Sequence, residues 1–181
     1  LFRKTSLFNW SLSSTSASRL SNVVPDYWRG SANLGSLIMS SNATWSDGTR
    51  GFDQFEWVRD LRAFGGSKAR SQARQLIENW IDNNNNWHAE SWQPDIMGQR
   101  IANLVFSYDW YASSAPEGFQ TKLTRAIKRQ ARCLALDWSR LYDQTAQLTA
   151  LKGLFVGQTA LGGKRDDLAA ILDLVLPLVD Q

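Results

Sequence analysis

The apolar spacing from Asp53 onward constrains this chain most. Phe55, Val58, Leu61 and Phe64 recur at every third residue, which lays one apolar stripe along a helix. Gly65-Gly66 ends that helix, since glycine reaches the left-handed cap conformation cheaply. Ser67 then caps a second helix, with Ala69, Ala73, Leu76, Ile77, Trp80 and Ile81 on one face. Asp82 to Asn86 is a polar break, and Trp87 to Trp92 a short aromatic loop. Pro94 opens a third helix, with Met97, Ile101, Leu104, Val105 and Tyr108 inward. Ser113 to Pro116 leads to a fourth, carrying Phe119, Leu123, Ile127, Leu134 and Trp138. A fifth uses Leu148, Leu151, Leu154 and Phe155 and stops at Gly162-Gly163. A sixth starts near Asp166, and Pro177 is expected to kink or end it.

No alternating strand segment competes with this pattern, so the fold class is all-α. Short links make consecutive helices antiparallel. No fixed repeat period is visible, which disfavours a regular solenoid. A coarse repeat of helix hairpins suits an incomplete α/α toroid. Residues 1–50 have weak periodicity and many Ser, Asn and Gly. They are expected to form a lead-in arm with short helical turns, wrapped over a helical domain at residues 51–181.

With 181 residues and 43% hydrophobic content, the chain can bury a real core. Its 9 Trp can fill that core or line a sugar groove. A net charge of +3 permits an anionic partner without demanding one. Cys133 is the single cysteine. It excludes an internal disulfide or multi-Cys metal site, and its neighbours predict a packed thiol. No segment is apolar enough for a bilayer span, and no secretory h-region is present. The chain starts at Leu1, and its apolar run from Leu168 to Val179 has no cap. Both ends predict a fragment of a longer protein.

The segment from Gly51 to Gly66, including Phe52-Asp53, Phe55-Glu56-Trp57 and Arg59-Asp60-Leu61, resembles the first core helix of bacterial heparinase II/III-type polysaccharide lyases. Ala69-Arg70, Ala73-Arg74 and Leu76 to Ile81 continue the similarity. Trp87, Trp92-Gln93-Pro94 and Gly98-Gln99-Arg100-Ile101 resemble the family's next pattern. Upstream Pro25 and Trp28-Arg29-Gly30, and downstream Ala150 to Leu154, also fit. The resemblance runs over most of the chain and is densest from Gly51 to Ile101. It implies an N-terminal α/α toroid, a C-terminal β-sandwich in complete members, and β-elimination on uronic-acid polysaccharides. It also implies a periplasmic setting.

A lyase of this kind removes the proton α to a uronate carboxylate. It must neutralise that carboxylate, stabilise enolate-like charge and supply a base and an acid. The family's Tyr, His and Asn residues for these tasks map onto no position here. The catalytic set is therefore expected outside this chain, and the fragment is expected to be inactive alone. His88 is the candidate catalytic residue within it, with an ordinary hydrogen-bonded loop residue as the competing role.

Substrate-binding candidates are Trp45, Trp57, Arg59, Trp87, His88, Trp92 and Arg100. Flat indole rings stack on the apolar faces of sugars, and a guanidinium fork matches a carboxylate. Core packing competes for each Trp, structural pairing for Arg59, Arg62 and Arg100. Lys122, Arg125, Arg129 and Arg132 share a face of the fourth helix, with Lys128 beside them, and a solvated outer face is expected there. They carry no interleaved aromatics, so nucleic acid is not an expected partner. Asn42-Ala43-Thr44 matches a glycosylation acceptor. No motif calls for a metal or other cofactor. The expected partners are an acidic polysaccharide and the missing C-terminal part of the same protein. The rival reading is a non-catalytic helical module that binds carbohydrate or protein.

Overall fold

The computed structural model describes residues 2–13, 19–40 and 50–179. Trp45 and the Asn42-Ala43-Thr44 motif lie outside them. Among the described residues every regular element is helical. A 3-10 turn at Phe2–Lys4 precedes α1 (Ser6–Ser11) and α2 (Ala32–Ser40). Then come α3 (Arg50–Asp53), α4 (Trp57–Phe64), α5 (Gly66–Asn83) and α6 (Pro94–Phe106). The short α7 (Tyr108–Tyr111), α8 (Glu117–Asp137), α9 (Gln144–Ala160) and α10 (Arg165–Val179) complete the order.

Local chemistry sets several of these boundaries. Thr5 Oγ1 accepts from the Phe8 amide and starts α1, and Asp143 Oδ1 accepts from the Ala146 amide at 2.7 Å and starts α9. Pro94 occupies the first turn of α6, where its missing N–H costs nothing. Gly65, at φ 81°, turns the chain between α4 and α5. The second helix therefore starts at Gly66, a residue ahead of the expected Ser67 cap.

The stripe expected from Phe55 to Phe64 is not one helix. Phe55 adopts φ 61°, which interrupts the helical path between α3 and α4. This conformation costs a non-glycine residue about 1–2 kcal/mol. Burial offsets it: the Phe55 ring is fully enclosed, 5.1 Å from Trp57 and 5.3 Å from Trp80 between ring centroids. Phe64, at the other end of the stripe, is 44% exposed. Tyr108 leaves the third helix at Ser107 and begins α7. Pro177 does not end the last helix, which runs on to Val179.

Pairings between helices give their directions. Asp53 O and Gln54 O accept from Arg100 and Asn103, and Arg62 donates to Phe106 O, so α3–α4 and α6 advance together. Gly98 lies against Gly153 and Ile101 against Gly157, so α6 and α9 also run parallel. Glu78 and Asp82 meet Lys122 while Asn85 meets Arg129, which makes α5 and α8 parallel. Across these sets the direction reverses. Ala131 faces Gly157 and Leu141 faces Gln147, so α8 and α9 are antiparallel. The Gln144 side chain donates to Leu178 O, which makes α9 and α10 antiparallel. The helices thus form two layers of opposite direction, joined by a core that includes Phe8, Leu12, Leu20 and Ile38 of the arm. No helix of the described residues is long and apolar enough to cross a membrane.

Candidate functional site

Three of the expected sugar-binding residues, Trp57, Trp92 and Arg100, are buried in the core. Trp57 is 3% exposed, stacks on Phe52 and donates from Nε1 to Phe52 O. Trp92 is 2% exposed, with its Nε1 directed to Asn84 O. Neither ring offers a free face to a sugar.

Arg100 is completely buried. Its Nε donates to Gln130 Oε1 at 2.6 Å, Nη1 to Asp53 O at 2.7 Å and Nη2 to Ser91 O at 2.9 Å. The guanidinium carbon lies 4.1 Å from the Trp80 ring centroid, and Trp80 Nε1 donates to Asp53 Oδ1. Burial pushes the Arg100 guanidinium down to about 9, with the Asp53 carboxylate opposing. This group ties α3, α6 and α8 together, with its donors committed inside the core. Arg59 is likewise committed: its Nε lies 2.6 Å from the enclosed Asp26 carboxylate, which also lies near Arg62.

Trp87 and His88 have a different setting. Together with Lys4, Asn9, Trp10 and Arg129 they line an open cleft of about 550 Å3. That volume suits a small ligand, for which sites of about 300–1,000 Å3 are usual. The cleft is assembled across the fold. Asn9 Oδ1, on α1, accepts from both the Trp87 amide and Arg129 Nη2, each at 2.9 Å. Trp10 follows on the same helix and is 75% exposed, a flat apolar surface directed away from the core. Trp87 is half-buried and His88 exposed.

The basic face of α8 is solvated at Arg125, as expected from its spacing, but its other members are paired. Lys122 pairs with Glu78 and Asp82 of α5. Arg132 donates to the Leu12 and Ser13 carbonyls, and Arg129 to Asn9, Asn85 and Asn86. At the end of the same helix the enclosed Asp137 binds Arg3, with Arg140 nearby. A carboxylate at a helix C-terminus opposes the helix dipole, and these two arginines compensate it. Arg129 and Arg132 therefore clamp the N-terminal arm onto the body, while Lys122 ties α8 to α5.

Proton-transfer chemistry is sparse. Among the described residues no carboxylate holds the His88 ring, so it lacks the partner that would orient a base. Cys133 is enclosed, and burial pushes its thiol up to about 12, which removes it as a nucleophile. Burial also raises Tyr111 well above the ordinary phenol range, and its hydroxyl donates to Leu104 O. Among the described residues no three His, Cys, Asp or Glu gather as a metal site.

Sequence reasoning placed Trp87 and His88 in an aromatic loop but missed Trp10, Lys4 and Arg129 as their companions. The local signal for Trp10 is slight: Thr5 can cap a helix that presents it. The meeting of α1 with the 84–88 loop is a long-range event.

Over 129 residues, or 70% of its length, the chain is 30% identical to FtsZ-localized protein C of Caulobacter vibrioides (strain NA1000 / CB15N). The chain spans about a fifth of that relative, 22% of its length. No family model and no solved structure matches the chain.

Proposed function

We propose that this chain is the N-terminal helical portion of a heparinase II/III-type polysaccharide lyase, and that it supplies one wall of a binding groove for a uronic-acid polysaccharide. The observation that carries this reading is the cleft of Trp10, Trp87 and His88, edged by Lys4 and Arg129. Indole faces suit the C–H surfaces of a pyranose ring, and the two cations suit its carboxylate. The resemblance from Gly51 to Ile101 supports the family. The layered arrangement supports an α/α toroid, in which successive inner helices run parallel and outer helices return. Here α4, α6 and α9 would form an inner arc, and α5, α8 and α10 an outer one. The exposed Leu172, Leu176 and Val179 of α10 would be covered by later helices of the same ring.

Catalysis would need residues beyond those of this cleft, since His88 has no orienting partner. The test follows ultraviolet absorbance of unsaturated uronate on heparin, heparan sulfate and alginate. This chain is expected to bind an acidic polymer without turnover. Turnover by the chain alone would overturn the claim that its catalytic set lies elsewhere.

A second reading is favoured by the name of the relative. A protein described as FtsZ-localized points to a helical binding module that works where FtsZ is found. A fluorescent fusion of the parent protein would then follow the FtsZ ring. A fusion spread evenly through the cell would count against this reading.

A further inference from the structure

A second cleft, of about 670 Å3, lies between α5 and the first two thirds of α8. Ser13 and Arg129 line both clefts, so the two adjoin at these residues. Asp82, Glu117, Lys122 and Arg125 stand along the second. Its charges are unequally committed. Lys122 lies 2.6 Å from Asp82 and 3.1 Å from Glu78, so these groups largely neutralise one another. Arg125 is exposed.

Arg129 is the unusual member. Its guanidinium is held by Asn9 O, Asn9 Oδ1, Asn85 Oδ1 and Asn86 Oδ1, at 2.9 to 3.3 Å. It also lies 5.8 Å from the Trp92 ring centroid. Among the described residues none of its bonding partners is a carboxylate, and its enclosed Nε makes no hydrogen bond. Burial lowers its affinity for the proton, with the Cys133 thiol opposing. Four neutral oxygens thus fix a positive charge at the place where two clefts join. A fixed, partly desolvated and uncompensated guanidinium is suited to an external anion.

We propose that Arg129 is an anion-binding residue at the waist of one continuous groove, and that this groove takes an acidic oligosaccharide longer than a disaccharide. A uronate carboxylate sits at Arg129. The chain of sugars runs toward Trp10 and Trp87 in one direction and toward Arg125 in the other. This inference rests on the glycan-binding reading above and adds a second lobe and a minimum ligand length.

The test measures binding of a mannuronate disaccharide and hexasaccharide to the complete chain, with cellohexaose as the neutral counterpart. Trp10→Ala and Arg125→Gln alter exposed side chains and leave the core intact. Arg129→Gln removes the waist charge and also loosens the arm, so the other two variants decide the matter. Hexasaccharide binding should weaken about three- to tenfold in both Trp10→Ala and Arg125→Gln. Disaccharide binding should weaken in Trp10→Ala alone, and cellohexaose should not bind. If Arg125→Gln leaves hexasaccharide affinity unchanged while Trp10→Ala weakens it, the groove ends at the first cleft and the functional reading stands. If the hexasaccharide fails to bind, or ignores Trp10→Ala, the functional reading itself falls.

Discussion

Gly98 and Gly153 bring the backbones of α6 and α9 into direct contact. A β-carbon on Gly98 would lie 2.5 Å from Thr149 O and 2.7 Å from Ala150 Cα, and one on Gly153 would strike the Gly98 backbone. One turn farther, a β-carbon on Gly157 would meet Ile101 Cγ2 at 2.8 Å. The parallel pairing of these helices therefore depends on side chains that are absent.

Gly153→Ala should destabilise the fold by about 2 kcal/mol or more, because the obstacle is backbone and cannot swing aside. Gly118→Ala should do the reverse. Among the described residues nothing lies within 4 Å of its added methyl, and alanine should gain about 0.5 kcal/mol in α8. Urea unfolding of the two variants checks the opposite signs.

Arg100→Met should cost about 3 kcal/mol, since three enclosed acceptors lose their donor together. Arg100→Lys should recover little of it, because one ammonium cannot reproduce the planar fork or the stacking on Trp80. The denaturation midpoints of both variants measure this, and full rescue by lysine would contradict the assigned geometry.

The helical segments were legible because burial on one side of a helix imposes its period on the apolar residues. Pro94 and Gly162 marked ends for equally local reasons. The Phe55 break was not legible: only the ring cluster with Trp57 and Trp80 makes a left-handed phenylalanine tolerable. The same limit applies to the site. Trp57 and Trp92 have the residue type of sugar platforms, yet tertiary packing encloses them. Arg129 reads as one solvated charge among several, until Asn9, 120 residues away, meets it. Spacing reports which residues share a face, and it says nothing about what the arm later lays upon that face.

The Cys133 thiol should resist alkylation in the folded chain and react readily after unfolding. Burial pushes it up to about 12, above roughly 8.5 for a free thiol. Between these values the unfolded chain releases the proton while the folded one retains it, so stability contributed by Cys133 is lost as pH rises. Wild type should lose more stability than Cys133→Ala between pH 8 and pH 11. Equal slopes in urea titrations would contradict the assignment.

Asn9→Ala should release the arm while leaving the body folded. It deletes the acceptor shared by the Trp87 amide and Arg129, at a cost of about 1–2 kcal/mol. Trypsin should then cut at Arg19 sooner than in wild type, while the 66–160 region remains protected.

The most direct test is the nuclear magnetic resonance of the indole N–H groups during titration with a mannuronate hexasaccharide. The signals of Trp10 and Trp87 should shift progressively and saturate, while those of the enclosed Trp57, Trp80 and Trp92 should stay in place. No saturating shift at Trp10 and Trp87, or shifts confined to the core indoles, would contradict the assignment of this cleft to an acidic glycan.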